Sequence, residues 1–233
     1  MTRAFSFSYI LKAFLSVVPY FPVTLAVTLG TALLSVLLSA LLVKQKFSSN
    51  KILNALSEAY IQTLRCIPSI VVLFIVYYGL PELLLFVFKV NVNFWPKILF
   101  VIIALSLIYS ANLAEIFRSS ILAVGSEQME AALCTGMTQV QGFFRIILPQ
   151  ALLYALPNLG NSLISLFKEG TLAFTIGLID LMGAGNLFIA RNYGGYALET
   201  YIALALIYWF LTVLVERLFG FAEKKLLKGR EIL

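Results

Sequence analysis

Lys168-Glu169-Gly170 lies inside an apolar run over residues 151–182. Ionisable side chains at membrane depth are costly, and they face a bundle interior or a water-filled cavity. A glycine beside them invites a helix break, and a break frees backbone groups for a ligand. The combination suits a zwitterion. Half-helix ends and backbone N–H groups take a carboxylate, and Glu169 takes an ammonium. Thr171 follows directly. Asn158, Asn161, Ser162 and Ser165 recur at three- and four-residue spacings on the same run, so they share one face. Tyr109, Ser110, Asn112 and Glu115 sit late in another apolar run. Other roles stay open for these residues. Lys168 and Glu169 could pair with each other, or with Glu115 or Arg118, as a structural lock. The small polar residues could join helix to helix. Asp180, toward the far end of the run, is a candidate gate or docking point.

Much other chemistry is excluded. The chain has 233 residues and no histidine, which removes His-based general bases, HExxH zinc sites and Ser-His-Asp triads. Two cysteines, Cys66 and Cys134, make neither a disulfide framework nor a four-cysteine metal site, and read as small packing residues. No G-x-x-x-x-G-K-[ST] sequence is present, so energy for any transport must come from another subunit or an ion gradient.

The elements that must position these residues are membrane spans. Hydrophobic residues make up 61% of the chain and charged residues 12%, the balance of an integral membrane protein. A bilayer core of about 30 Å needs roughly 20 apolar residues in a helix. Residues 22–43, 67–88, 98–116, 151–182 and 197–218 meet that need, which gives an all-α protein of five transmembrane helices. Pro81 and Glu82 are expected to end or kink the second span. Lys12 and Pro19 interrupt the first apolar run, and no cleavable signal peptide is evident. The fourth run would be about 48 Å long as a helix. An alternative is a hairpin at Lys168-Glu169-Gly170, making six spans.

The net charge of +6 is read as loop charge that sets orientation, not as nucleic-acid binding. With the N-terminus outside and the C-terminus inside, the larger basic group faces the cytoplasm. It comprises Lys44, Lys46, Lys51, Arg65, Arg118, Arg145, Arg217, Lys224, Lys225, Lys228 and Arg230. Only Arg3, Lys12, Lys89, Lys97 and Arg191 lie outside. The Gly-rich segment 183–196 is then a short outer loop, either a connector or a contact for a partner.

Between the third and fourth spans the chain reads QMEAALCTGMTQVQGFFRIILPQA, residues 128–151, too polar for lipid. Ser126 is an expected N-cap, with Glu127 and Glu130 near the positive end of the helix dipole. Gly136 permits a left-handed turn. A second helical piece is expected over residues 138–147, and Pro149 should open the fourth span. The product is two short helices at a fixed angle, serving either as an interfacial helix or as a docking knob for a partner.

Glu130-Ala131-Ala132, then Gly136, Ile146 and Leu148-Pro149, resembles the EAA motif of ABC-importer membrane subunits. YIQTLRCIPSIVVLFIVYYGLP (60–81), SANLAEIFRSSILAVGSEQMEAA (110–132) and LPNLGNSLISLFKEGTLAFTIG (156–177) resemble the histidine/glutamine/arginine/cystine permease family. That family commonly has Lys-Asp and two small hydroxyl residues where this chain has Lys168-Glu169-Gly170-Thr171, a departure that bears on substrate selectivity. The first span matches only in general character. The resemblance implies an ABC type I importer fold and a single permease domain over 1–233. It implies a coupling loop at about 118–150 seated in an ATP-hydrolysing subunit. It also implies a pair of those ATPases, a second permease subunit identical or different, a separate solute-binding protein, and an amino-acid substrate. ATP and Mg would be bound by the partner, with no cofactor on this chain and no catalysis of its own. TLAFTIGLIDLMGAGN (171–186) resembles cystine-type permeases. The competing readings are a gradient-driven secondary amino-acid transporter coupled through Glu169, Lys168 or Asp180, and a non-transporting scaffold.

Overall fold

The computed structural model describes residues 5–228, and among them every regular element is helical. In chain order these are α1 (Phe7–Val17), α2 (Phe21–Lys46), α3 (Lys51–Cys66), α4 (Ser69–Phe74), α5 (Leu80–Phe88), α6 (Lys97–Ala123), α7 (Ser126–Cys134), α8 (Gln139–Gly142), α9 (Leu148–Glu169), α10 (Leu181–Arg191) and α11 (Ala197–Lys228). Four helices are long and apolar enough to cross a membrane: Phe7–Lys46, Ser69–Phe88, Lys97–Ala123 and Ala197–Leu226. The pair Gln139–Ile176 and Leu181–Arg191, bent by 50°, meets the same test when taken together and makes a fifth crossing if it is one broken span.

The first span is longer than the apolar pattern suggests. It runs 40 residues because Pro19 is absorbed in a single 3-10 turn, Val18–Tyr20, where its missing N–H costs nothing. Lys12 does not interrupt it: the side chain is exposed and its ammonium lies 4.4 Å from the centre of the Tyr9 ring. Nor does Pro81 end the second span. A π turn, Ile75–Gly79, precedes it and contains Tyr77, whose carbonyl the proline ring would otherwise strike.

The bundle is built on α2 and α6. Thr24, Thr28, Thr31, Ser35 and Ser39 form a buried seam along α2. Their small side chains let α6 approach closely, and Ser106 Oγ donates to the Thr31 carbonyl at 3.4 Å. Gly30 serves the same contact: a Cβ there would stand 2.8 Å from Ile102 Cδ1. Val27, Leu73, Val101, Leu105, Leu166 and Ala173 fill the core around this pair. The opposite faces of α2 and α11 carry Leu33, Leu37, Trp209 and Phe210, all exposed, as lipid-facing surfaces require.

The fourth crossing bends, but neither as a hairpin nor at Gly170. The helix tightens to 3-10 geometry over Gly170–Ile176 and breaks at Gly177, which takes the left-handed φ of 78°. Gly170 keeps ordinary right-handed dihedrals and is buried beside Val27. Most of the expected outer loop 183–196 is helix, because Asp180 caps α10 by accepting the Gly183 N–H at 2.8 Å. Asp180 is therefore a buried cap rather than an exposed gate.

Candidate functional site

A cavity of about 400 Å³ opens between α6, α9 and the end of α3. One face of α9 supplies Asn158, Asn161, Ser162, Ser165 and Glu169. Their spacing keeps them within one stripe of a 3.6-residue helix. The wall from α6 carries Tyr109, Asn112, Glu115 and Ser119, and α3 adds Arg65.

The two carboxylates differ sharply in their surroundings. Glu115 is chelated by Arg118, whose Nε donates to Oε2 at 3.0 Å. Lys46 Nζ stands 3.8 Å from the same oxygen and is paired in turn with Glu58. Glu169 has no cation within ion-pair distance among the described residues. It accepts one neutral hydrogen bond, from Ser69 Oγ to Oε2 at 2.7 Å. Arg65 likewise has no ion-paired carboxylate among the described residues, though it lies close enough to Glu115 to act on it electrostatically. The cavity thus offers one uncompensated anion, one uncompensated cation, and amide and hydroxyl groups between them.

Of the residues expected to form a pathway, Glu169, Asn161, Ser165, Asn112 and Glu115 line the cavity, whereas Lys168, Gly170 and Thr171 do not. Lys168 is exposed on another face of α9, and the Thr171 hydroxyl turns back to the Lys168 carbonyl at 2.7 Å. The cause is helical phase: one residue from Glu169 is a rotation of about 100°. The alternative in which Lys168 and Glu169 pair with each other, or with Glu115 or Arg118, finds no such ion pair among the described residues. Glu115 is locked instead to Arg118, on its own helix. Sequence reading missed Arg65, Ser119 and Ser69. Arg65 sits on α3, an amphipathic helix whose signal was available in Ile52, Leu56, Tyr60 and Leu64 at helical spacing and in the Asn50 cap, which accepts from Ile52 N and Leu53 N.

At the end of the bundle reached by the C-terminus of α6, α7 and α8 form a knob. Gly125, not Ser126, is the N-cap of α7, and Ser126 is its first helical residue. Gly136, with φ 84°, ends α7 in a Schellman turn: Met137 N donates to the Ala132 carbonyl at 3.2 Å and Gly136 N to that of Leu133 at 3.0 Å. Thr138 and Gln141 then form a reciprocal capping box. Gly142 lets the helices cross, since a Cβ there would stand 2.9 Å from Met129 Sδ. The second piece is not a separate short helix. Through a π turn, Phe143–Ile147, it continues into α9, and Pro149 is accommodated as Pro81 is. Glu130, Ala131, Gly136 and Pro149 are exposed, Ile146 and Leu148 are half-buried, and Ala132 is buried under the crossing. Leu133, Val140 and Phe144 add exposed apolar surface that the spacing of the motif did not single out.

Apolar spans, a polar-lined cavity among them and a structured knob at one end are the parts a membrane transport subunit needs. Residues 33–228 match the family described as the binding-protein-dependent transport system inner membrane component, and the chain belongs to that family. It is 37% identical to the probable amino-acid permease protein YxeN of Bacillus subtilis, over 94% of this chain and 95% of that protein. It is 35% identical to the probable amino-acid ABC transporter permease protein PatM of Vibrio harveyi, over 97% and 98%. It is 35% identical to the L-cystine transport system permease protein TcyL of Bacillus subtilis, over 99% and 95%. A crystal structure of an amino acid ABC transporter with histidines superposes with a TM-score of 0.82 at 30% identity, covering 96% of this chain and all of that one. The chain is thus a multi-pass membrane permease subunit.

Proposed function

We propose that this chain is one permease half of an ATP-driven amino-acid importer, with L-cystine or a related polar amino acid as substrate. The observation that carries the proposal is the cavity: Arg65 is available for the substrate carboxylate and Glu169 for its ammonium, each without a counterion of its own. The cystine assignment rests on the 171–186 stretch and on the relationship to TcyL. Lys168, Gly170 and Thr171 shape the end of α9 rather than contact substrate. Glu130, Ala131, Ala132, Gly136, Ile146, Leu148 and Pro149 form the seat of an ATPase subunit, which holds ATP and Mg as one of a pair. A second permease subunit covers the open side of the cavity, and a solute-binding protein delivers the amino acid. The N-terminus is outside and the C-terminus inside, supported by the basic residues near the knob, Lys44, Lys46, Arg118 and Arg145. Two residues of that charge argument, Arg3 and Arg230, lie outside the described residues. ATP binding draws the ATPases together, and the knob transmits that motion to α9, switching the cavity between two sides of the membrane.

The test is copurification in mild detergent from the native host. An ATPase subunit should accompany the parent chain and be lost from Glu130→Arg and Gly136→Pro. If no ATPase accompanies the parent, the importer reading fails, and ionophore-sensitive uptake would then identify a gradient-driven transporter.

A further inference from the structure

Tyr109 combines three properties that packing alone does not explain. It lines the cavity, its residue is 3% exposed, and its hydroxyl oxygen is buried with no hydrogen-bond partner. An unsatisfied buried hydroxyl carries an uncompensated desolvation cost, and phenylalanine would fill the same space without it. Tyr60, which reaches the same helix, shows the ordinary arrangement: its hydroxyl bonds both the Leu107 carbonyl and Ser110 Oγ, at 3.0 and 2.9 Å. Glu169 is the ionised group that acts on the Tyr109 hydroxyl, near enough for an incipient hydrogen bond, yet the geometry falls short of a formed one and the hydroxyl stays unpartnered. Glu169 is also under-held, since Ser69 is its one hydrogen-bond donor among the described residues.

We propose that Tyr109 is a positioning residue for Glu169, a second donor that completes the carboxylate's hold when substrate occupies the cavity. This rests on the importer reading above. With Ser69 on Oε2 and Tyr109 approaching from α6, the carboxylate is fixed from two helices. The oxygen facing the cavity stays free for a substrate ammonium, which has three donors and no acceptor. A charge-assisted hydrogen bond from Tyr109 forms only in the loaded state, so its free energy is directed to substrate binding. The orphan hydroxyl of the empty state is the cost of that arrangement.

The experiment uses the intact transporter, permease with its ATPase and solute-binding protein, in proteoliposomes. The probe is a 14C-labelled amino-acid mixture supplemented with 35S-cystine, resolved by chromatography to find what the parent accumulates. KM and kcat for that amino acid are then measured for Tyr109→Phe, Glu169→Gln and the double variant. Tyr109→Phe should raise KM about tenfold with little change in kcat, while melting no lower than the parent. In the Glu169→Gln background the same substitution should change KM less than twofold, because its route of action is gone. An unchanged KM in Tyr109→Phe, or an equal effect in both backgrounds, overturns the positioning role and leaves the importer reading intact. Absence of ATP-dependent accumulation by the parent overturns the reading itself.

Discussion

Asp180→Asn and Asp180→Ala should separate cleanly. Asp180 is 1% exposed, and its Oδ1 accepts the Gly183 N–H at 2.8 Å. Alanine removes the cap and leaves that N–H buried without a partner. Cap loss costs about 0.5–2 kcal/mol, and a buried orphan about 1–3 kcal/mol. These overlap as descriptions of one N–H, so the expected total is about 2 kcal/mol. Asparagine keeps Oδ1 and replaces the orphan Oδ2 with an NH2 group. The buried Tyr208 hydroxyl, itself unpartnered and within electrostatic range of Asp180, can accept from it. Asparagine should therefore be neutral or stabilising. For a chain of this size about 2 kcal/mol corresponds to roughly 4–8 °C in melting temperature. Fluorescence-detected size-exclusion after graded heating in detergent resolves such a shift. If Asp180→Asn melts as low as Asp180→Ala, the negative charge itself matters and the capping account is wrong.

Other consequences test the same structure. Arg65→Gln should raise the KM for transport about tenfold, whereas Lys168→Gln, on another face of α9, should leave it within about twofold; similar effects of both would refute the helical phase assigned here. Gly142→Ala should be close to neutral, because Met129 can swing aside but Ala132 Cβ, at 3.3 Å, must give way, which offsets the gain of about 0.5–1 kcal/mol from alanine in a helix, while Gly142→Leu should wedge α7 from α8 and abolish ATPase copurification. The hydrogen bond from Lys46, with a second from Gln62, holds the Glu58 carboxyl below its ordinary range. A depressed carboxyl stabilises above its unfolded pKa and loses that contribution as pH falls through the folded value. Glu58 is partly exposed, so the gain is small. Glu58→Gln should melt slightly below the parent at about pH 7, and the difference should shrink as pH falls below the ordinary carboxyl range.

Span number was legible in the sequence because lipid demands long apolar runs, and the EAA spacing located the knob because its turns need particular residues. Gly136 could be read from chemistry alone: a Schellman turn favours glycine at that position. What could not be read is helical phase. Glu169 and Lys168 are adjacent and equally polar, yet one lines the cavity and the other does not. The deciding fact is which stripe of α9 faces the cavity, set by Leu166 packing in the core with Leu105 of α6 and by Ile164 and Phe167 packing in the core with Leu204 and Ile207 of α11. Nor did any run of residues announce the break at Gly177 in preference to Gly170. Both are glycines in apolar surroundings, and the Asp180 cap on the following helix explains why the chain restarts after the first.

The continuity of α8 with α9 bears most directly on coupling. Two isolated short helices would dissipate a push from a docked partner in the hinge between them. Here the helix entered at Gln139 runs without interruption to Glu169, about 46 Å at 1.5 Å per residue. On the proposed coupling role, a displacement of the knob would be carried along this helix toward the stripe with Asn161, Ser165 and Glu169. The soft point in that lever is the π turn at Phe143–Ile147, where backbone hydrogen bonds are widened to admit Pro149. Pro157, inside α9, is carried with no such turn, so the widening at Pro149 is local. Pro149→Ala restores a backbone donor and removes the reason for the wide turn. If the turn is where motion is absorbed and redirected, the variant should still bind its ATPase, because Pro149 is one residue at the edge of the seat and Glu130, Ala131 and Gly136 are unchanged, yet couple ATP hydrolysis to uptake differently. The ratio of ATP hydrolysed to amino acid accumulated in proteoliposomes reads this directly. An unchanged ratio would mean that α8 and α9 move as one rigid rod and that the π turn only accommodates a proline.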